Sequence, residues 1–230
     1  MLIIFDLDDT LIDTSHTITR PLWRKALEEM IQGGLQVEDF SKALFHLWAL
    51  DQNTQSSSET LRLFLSFYQA NISLQEIGLK ALQKIDVLQT KIQPLPGVLE
   101  GLKILQAAYT LAVVSKGVES LQREKLKKAG IDTAFFSKIV ISEEGNKKVY
   151  YKKLFEELKE PPQNCTVVGD RVLYDLKPAK ELQMRTLHMK WGRGKVYSPW
   201  SEYVDQEIYS FKELISYFEK LSNLAVLDGN

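Results

Sequence analysis

Aspartates cluster in one short stretch near the start of the chain. The segment LIIFDLDDTLIDT, residues 2–14, runs from four apolar residues directly into Asp6, Asp8 and Asp9. Carboxylates held this close together repel one another, and each raises the pKa of its neighbours unless a cation balances the charge. The stretch therefore predicts a charged site at the end of a buried strand, completed by a cation.

Three further polar stretches follow apolar runs that are typical of strands. They are VVSKG at residues 113–117, ISEEGNKK at 141–148 and VVGDRVLYD at 167–175. Because ligands of an open parallel sheet bind beyond the carboxyl ends of its strands, side chains at these ends can meet at one edge. We expect Asp170 and Asp175 to join the first aspartates there.

Magnesium is the cation that this combination favours. A few carboxylates with room for water suit Mg²⁺, which keeps part of its hydration shell and usually bridges to a substrate phosphate. Lys147 or Lys148 would add a second positive charge for the same phosphate. The predicted ligands are therefore Mg²⁺ and a small phosphorylated substrate.

Short apolar runs alternate with amphipathic helical stretches in most of the chain, which is typical of parallel βαβ units. The predicted strands are residues 2–6, 110–115, 138–142, 165–169 and 185–190. Their nearly continuous hydrophobicity indicates a sheet that helices cover on both faces. We predict an α/β fold of three layers around a Rossmann-like parallel sheet.

One segment breaks this alternation. From about residue 15 to residue 93 the apolar spacing suits helices, and no stretch is convincing as a strand. Pro94 and Pro96 then mark an extended return of the chain. We predict a catalytic core of residues 1–14 and 95–230, and a helical domain of residues 15–94, called the helical insert below.

The composition excludes several classes of partner. The chain has 230 residues, of which 44% are hydrophobic, and a formal net charge of −1, so it has no bulk attraction to nucleic acid or to anionic membranes. Its single cysteine, Cys165, cannot form an internal disulfide or a multi-thiolate metal site and is expected to be buried in a strand. With no basic leader before the first apolar run, we expect a cytoplasmic protein.

The four polar stretches, in this order and spacing, resemble the four motifs of the haloacid dehalogenase-like superfamily of phosphatases and phosphotransferases. IIFDLDDTL at residues 3–11 matches the strongest signature of that family, and VVGDRVLYD matches its pattern of Gly-Asp, four residues and Asp. The helical insert lies where some members carry a helical cap domain. The resemblance extends over nearly the whole chain outside the insert.

The resemblance implies roles for the first motif. Asp6 would be the nucleophile, which forms an aspartyl phosphate, and also a metal ligand. Asp8 would protonate the leaving alkoxide and later deprotonate water, while its backbone carbonyl would bind Mg²⁺. Thr10 would hold the loop in shape by hydrogen bonding, and Asp9 and Asp13 are expected to take no direct part.

The other motifs receive roles in the same way. Ser115 would donate a hydrogen bond to a phosphoryl oxygen, and the amides of Lys116 and Gly117 could do likewise. Asp170 would bind the metal directly, and Asp175 would support the metal from the first or the second coordination shell.

The lysine of the third motif has two candidates. In relatives it lies about five residues before an aromatic residue that opens a helix. Aligning that aromatic residue with Tyr151 puts Asn146 at the expected position. Lys147 is the nearest lysine, and Lys148 is almost as near.

An acid at position 8 indicates phosphoester chemistry, because members that cleave carbon–halogen or carbon–phosphorus bonds have no alkoxide to protonate. The favoured reading is a Mg²⁺-dependent phosphatase acting on a small phosphorylated metabolite. A phosphomutase with the same site is the alternative, and a non-catalytic binding or regulatory module is the third reading. The motifs do not separate the first two.

Substrate choice is expected to depend on the helical insert. His16, Arg20, Arg24 and Arg62 could reach an anionic substrate from the insert, yet a charged outer face explains them equally well. The sequence therefore leaves the substrate open, and it leaves the oligomeric state open too.

Overall fold

A six-stranded parallel sheet forms the centre of the structure, a computed structural model that describes residues 1–54, 56–83, 91–143, 146–195 and 202–227. The strands are β1 (Leu2–Phe5), β2 (Thr110–Lys116), β3 (Lys138–Ser142), β4 (Cys165–Gly169), β5 (Arg185–Met189) and β6 (Gln206–Ile208). Their order across the sheet is β3-β2-β1-β4-β5-β6. The strand order switches at β1, with β2 and β3 on one side of it and β4 to β6 on the other, which opens a crevice at the carboxyl ends of β1 and β4.

Helices cover the sheet and also form the helical insert, the segment of residues 15–94. The helices of that segment are α1 (Arg20–Gln32), α2 (Phe40–Asn53), α3 (Ser57–Phe67) and α4 (Leu74–Gln83). The others are α5 (Val98–Gln106), α6 (Glu119–Lys128), α7 (Lys147–Glu157), α8 (Lys177–Lys180) and α9 (Phe211–Leu227).

The side chains of β1 alternate between the two faces of the sheet, as strand geometry requires. Ile3 and Phe5 pack in one apolar cluster with side chains of α5, α6 and α9. Leu2 and Ile4 pack in a second cluster with side chains of α7 and α8, which also contains the buried Cys165. The three-layer α/β fold predicted from the sequence is therefore confirmed.

The helices α1 to α4 pack around a hydrophobic cluster of their own, which includes Trp23 and Phe64. Two antiparallel contacts join the outgoing chain to the returning chain: Asp13 N donates to Gln93 O at 2.9 Å, and Leu95 N donates to Leu11 O at 2.9 Å. The insert thus has a core separate from that of the sheet, and its two connections lie side by side.

The predicted strands are confirmed to within one residue at each end. Of the six strands in the described part of the chain, β6 alone was not predicted. β6 was missed because its three residues, Gln206–Ile208, lie at the edge of the sheet and are mostly polar. The helical pattern predicted from about residue 15 to residue 93 is present as far as Gln83, the end of α4, and residues 84–90 lie outside the described part. No helix within the described ranges is long and apolar enough to cross a membrane.

Candidate active site

The loop after β1 turns the chain sharply and presents a buried carboxylate. Asp6 N donates to Val168 O at 2.9 Å, so Asp6 continues the strand by one step beside β4. The amides of Leu11 and Ile12 then both donate to the carbonyl of Leu7, at 2.9 and 3.0 Å. The tight backbone turn leaves the Asp6 side chain buried at the carboxyl end of the sheet.

Three buried carboxylates meet beyond β1 and β4. Asp6, Asp170 and Asp175 each offer one oxygen within 4.8 Å of the others. Asp170 directly follows β4, and Asp175 lies in a π-helical turn, Val172–Leu176. Gly169 permits this approach, because a Cβ atom there would lie 2.6 Å from Cβ of Asp175.

Lys147, at the first position of α7, reaches into the cluster. Its Nζ lies 2.5 Å from Oδ1 of Asp6 and 2.7 Å from Oδ1 of Asp175, and its side chain is only 6% exposed. Lys148 points to the surface and pairs with Glu181 at 2.8 Å. Of the two lysines that the sequence left open, the structure brings Lys147 to the aspartates and not Lys148.

Burial and mutual repulsion disturb the titration of this cluster. Burial, with the neighbouring charges of Asp175 and Asp8, raises the pKa of Asp6 to about 7, although Lys147 opposes the shift. Burial and the surrounding carboxylates also raise the pKa of Asp170 well above its usual range. Lys147 stays protonated, because Asp175 and Asp6 raise its pKa despite burial.

The cluster fits a divalent cation by charge and by donor chemistry. Three carboxylates face one ammonium group, Lys147, which leaves a formal excess of two negative charges in a buried site. All the donors of Asp6, Asp170 and Asp175 are oxygens, the ligands that Mg²⁺ prefers. Binding of a divalent cation would balance the charge without protonating a carboxylate.

Asp8 is held by three donors outside the cluster. Oδ1 accepts from Thr14 Oγ1 at 2.5 Å and from Lys125 Nζ at 2.8 Å, and Oδ2 accepts from Gln122 Nε2 at 2.9 Å. Burial alone would raise the pKa of Asp8, but Lys125, with the hydrogen bonds from Thr14 and Gln122, holds it below its usual value. Asp8 therefore has a different environment from Asp6, only two residues away.

Sequence reasoning missed Gln122 and Lys125. Both lie on the buried face of α6 beside the apolar Leu126, where an amphipathic helix normally carries hydrophobic residues. Their spacing of three residues puts them on the same side of the helix. Two polar residues on an otherwise core-facing stripe, in the helix directly after Ser115, were the signal that could have revealed them.

The second motif is partly as predicted. Ser115 is buried at the end of β2, and its Oγ accepts a hydrogen bond from Gln122 Nε2 at 2.7 Å. Lys116 lines the adjoining cavity. The amide of Gly117, which the sequence offered as a second donor to phosphate, here donates to Ser142 O at 2.9 Å.

The hydrogen-bonding role predicted for Thr10 is also not met. Its hydroxyl is buried and has no hydrogen-bond partner among the residues that the structure describes. Backbone bonds hold the loop instead, including one from Asp9 N to Ile12 O at 2.7 Å. Thr10 fills space in a turn that the main chain stabilises.

His16 and Asp13 belong to a contact between the insert and the core. The ring Nδ1 of His16 lies 2.7 Å from Oδ1 of Asp13, and the same oxygen accepts from Trp191 Nε1 at 2.8 Å. The rings of His16 and Trp191 meet edge to face. Asp13 therefore anchors this junction, a structural role that the sequence did not indicate.

The arginines of the insert lie away from the carboxylates. Arg20 stacks over the ring of Trp48, and Arg24 pairs with Glu28 at 3.1 Å on the exposed face of α1. Arg62 is exposed. Within the described part of the chain, neither these arginines nor His16 line the cavity above the cluster.

A cavity of about 530 Å³ lies between the carboxylates and the insert. The insert contributes mainly hydroxyl and apolar side chains to its wall: Ser15, Thr19, Leu22, Trp23, Ser56, Ser57 and Leu82. It also contributes Asp51, whose Oδ1 lies 2.5 Å from Nη2 of Arg193 in the core. Arg193 Nε donates to the backbone carbonyl of Asp51 at 3.0 Å, so one side chain bridges the two parts.

The strand order, with buried acidic side chains at the point where it reverses, defines the class: a Rossmann-like α/β protein with a ligand site at the carboxyl edge of its sheet. Comparison with known proteins makes this more specific. A family model described as haloacid dehalogenase-like hydrolase matches residues 1–183. The chain belongs to the haloacid dehalogenase-like hydrolases.

Individual relatives cover nearly the whole chain. A glyceraldehyde 3-phosphate phosphatase from Methanocaldococcus jannaschii is 31% identical over 229 residues, which is 95% of this chain and 97% of that protein. One from Pyrococcus furiosus is 29% identical, over 95% and 92% respectively. The magnesium-bound structure of the HAD-hydrolase YfnB from Bacillus subtilis covers 94% of this chain and 97% of its own, with a TM-score of 0.61 at 19% identity. That last likeness concerns the fold alone.

Proposed function

We propose that this chain is a Mg²⁺-dependent phosphatase that hydrolyses a small phosphorylated metabolite through an aspartyl phosphate on Asp6. The contact of Lys147 Nζ with Asp6, at 2.5 Å inside a buried acidic cluster, carries the proposal. A carboxylate that is held against a cation and lines a cavity is suited to attack an anionic phosphate, because the cation offsets the repulsion between the carboxylate and the phosphate.

In the first step an Asp6 carboxylate oxygen attacks phosphorus, and the bond between phosphorus and the ester oxygen breaks. Asp8, two residues further on and outside the cluster, gives its proton to the leaving alkoxide. The negative charge of a bound phosphate would oppose the effect of Lys125 and favour the protonated form of Asp8 that this step needs. Lys147 and the Ser115 hydroxyl face charge that spreads over the phosphoryl oxygens, where fixed donors stabilise the transition state most.

In the second step Asp8 acts as a base and takes a proton from water. The oxygen of that water attacks phosphorus, the bond between phosphorus and the Asp6 oxygen breaks, and inorganic phosphate leaves. Asp8 is then protonated again for the next turnover, so one carboxyl group serves both steps in opposite directions.

Asp6, Asp170 and Asp175, together with the backbone carbonyl of Asp8, are the groups that we propose hold Mg²⁺. When bound, the cation supplies positive charge to the phosphoryl oxygens and orients them for attack. The excess negative charge of the cluster supports this assignment. Removal of the metal with a chelator is expected to abolish turnover, and added Mg²⁺ to restore it.

The substrate that we propose is a phosphorylated triose such as glyceraldehyde 3-phosphate. The relatives that match over nearly the whole chain carry the name of that activity. The wall that the insert contributes supports it, since Thr19, Ser56 and Ser57 can hydrogen-bond to a hydroxyl or carbonyl group.

We also propose the division into a core of residues 1–14 and 95–230 and a cap of residues 15–94. The separate apolar cluster of the insert and its two adjacent connections to the core support this division. The cap would close over the cavity, exclude bulk water and select the substrate.

Release of inorganic phosphate from a panel of esters tests the proposal. The panel contains glyceraldehyde 3-phosphate, dihydroxyacetone phosphate, glucose 6-phosphate and phosphoglycolate, each with Mg²⁺ and with a chelator. We expect turnover with Mg²⁺, highest for a triose phosphate, and its loss in Asp6→Asn. Asp132→Asn, a change at the exposed Asp132, is the matched control and should behave as wild type. Release that persists in Asp6→Asn would contradict the proposal, and an isomerised ester without free phosphate would indicate a mutase.

A further inference from the structure

Two side chains of α6 converge on Asp8 from the core. Lys125 is 9% exposed, and its Nζ lies 2.8 Å from Oδ1 of Asp8. Gln122 is 2% exposed, and its Nε2 lies 2.9 Å from Oδ2 of the same residue. A buried ammonium group is costly unless it is paired. The contact with Asp8 therefore offsets the cost of burying the ammonium group of Lys125.

Gln122 joins Asp8 to Ser115. Its Nε2 also lies 2.7 Å from Oγ of Ser115 and 3.3 Å from the carbonyl of Lys116. A carboxylate and a backbone carbonyl can only accept, so the amide group must present its NH₂ side here. Ser115 Oγ then accepts from Gln122, which leaves the Ser115 hydroxyl hydrogen free to point toward a phosphate.

The hydrogen bonds of Asp8 are not distributed evenly between its two oxygens. Oδ1 accepts from both Thr14 and Lys125, whereas Gln122 is the one donor to Oδ2 among the residues that the structure describes. Each carboxylate oxygen has two lone pairs. Both lone pairs of Oδ1 are therefore occupied, and one lone pair of Oδ2 remains.

We propose that Lys125 and Gln122 are positioning residues that fix the Asp8 carboxyl group so that Oδ2 carries the transferred proton. This inference rests on the proposed role of Asp8 as acid and base. In the first step the proton leaves Oδ2 for the ester oxygen, and in the second step Oδ2 receives a proton from water. Without Lys125 the carboxyl group can rotate about Cβ–Cγ, and the proton loses its alignment.

The test compares two phosphate esters that differ in how much they need an acid. The leaving group of glyceraldehyde 3-phosphate is an alkoxide, which needs a proton. The leaving group of 4-nitrophenyl phosphate is a stable phenolate, which does not. Measured as kcat/KM, Lys125→Met is expected to lose about 10²-fold on the first ester, within the range of general acid catalysis. On the second ester we expect a loss below about fivefold, because there the acid contributes little.

Two further variants separate positioning from structure. Lys125→Arg, which keeps the charge, should recover a large part of the loss, and Gln122→Met should discriminate between the esters in the same direction. Lys127→Met, at an exposed lysine of the same helix, is the matched control and should equal wild type on both esters. Thermal melting of each variant reports whether it is folded.

The outcomes distinguish this inference from the proposed function. Asp8→Asn should itself discriminate between the two esters. If Asp8→Asn discriminates between the esters but folded Lys125→Met and Gln122→Met do not, the positioning role is overturned while the phosphatase assignment stands. Equal losses of kcat/KM on both esters in Lys125→Met and Gln122→Met would also overturn the positioning role. If Asp8→Asn fails to discriminate, the acid–base role of Asp8 and the inference that rests on it are both overturned.

Discussion

Of two neighbouring lysines, the position along the helix decides which one reaches the acidic cluster. Lys147 and Lys148 differ by one step along α7, yet one Nζ lies among buried carboxylates and the other pairs with Glu181 at the surface. Successive residues of a helix point about 100° apart. Only one of the two can therefore face the sheet.

Replacement of each lysine in turn tests this assignment. In Lys147→Ala we expect kcat/KM for the best phosphate ester to fall by at least about 10²-fold, because a positioned charge in a buried site is lost. Lys148→Ala is the control, and we expect it to stay within about twofold of wild type, since an exposed ion pair contributes little. Steady-state kinetics at saturating Mg²⁺ measures both. Wild-type turnover in Lys147→Ala would contradict the assignment.

The first aspartates were predictable from the sequence, whereas the partners of Asp8 were not. Asp6 and Asp170 directly follow apolar strands, so topology alone brings them together. Gln122 and Lys125 lie far from Asp8 along the chain, and their contact depends on how α6 packs against the loop after β1. Sequence periodicity shows which face of a helix is buried, but not which residue that face meets.

At the scale of elements, the connection between the insert and the core concentrates in a few side chains. The short helical turn Gly192–Lys195 follows β5 and carries Arg193 to Asp51 of α2. Gly192 has a φ of +49°, and a Cβ atom there would lie 2.2 Å from Oδ2 of Asp9. The turn thus packs tightly against the loop after β1 while it contacts the insert.

The Asp51 carboxylate is expected to favour substrate binding through this contact. Asp51→Asn keeps the shape of the side chain but removes the charge, which leaves a half-satisfied guanidinium group and weakens the closed arrangement. We expect KM to rise about tenfold, equivalent to about 1.4 kcal/mol, with kcat changed less than about threefold.

An exposed pair of the insert supplies the control. Glu28→Gln breaks the surface pair with Arg24 on α1 and should leave both constants unchanged. A KM for Asp51→Asn equal to that of Glu28→Gln would show that the contact has no part in substrate binding.

The elements themselves were largely predictable, with an instructive exception. Long apolar runs predicted β1 to β5 because buried parallel strands are hydrophobic on both faces. β6 has only Ile208 buried, so its three residues carry no pattern that separates them from a loop. Its place at the edge follows from pairing with β5, which is a tertiary contact.

At the scale of the whole molecule, the acidic cluster links stability to pH and to metal. In the metal-free protein the pKa of Asp6 rises from 3.8 to about 7. Between these values the unfolded chain has released a proton that the folded chain still holds. Stability then falls as pH increases, because the folded state binds more protons.

We therefore expect the free energy of unfolding of the metal-free protein to decrease between about pH 5 and pH 7. Asp9, with its pKa raised by burial to about 6, adds to the trend. If Mg²⁺ binds the folded state as we propose, it should stabilise that state by a larger amount at pH 7.5 than at pH 5, because protons compete with the metal for the carboxylates. Thermal or urea unfolding with Mg²⁺ and with a chelator measures this.

Asp6→Asn is the informative variant for the same experiment, since it should flatten the pH dependence of the metal-free protein and reduce the effect of Mg²⁺. Asp132→Asn, on the exposed surface, should reproduce wild type. A metal-free protein that gains stability steadily between pH 5 and pH 7 would contradict the charge distribution described for the cluster.

Trapping the covalent intermediate tests the central claim, that Asp6 is the nucleophile. Asp8→Asn is mixed with 4-nitrophenyl phosphate and Mg²⁺, quenched in acid within milliseconds to seconds, digested and examined by mass spectrometry. Since this ester needs no acid but the second step needs a base, we expect a phosphoryl group to accumulate on the peptide that contains Asp6, and to be absent when Asp6 is also changed to Asn. A phosphoryl group on another residue, or phosphate release with the Asp6 peptide unmodified at every time, would contradict the claim.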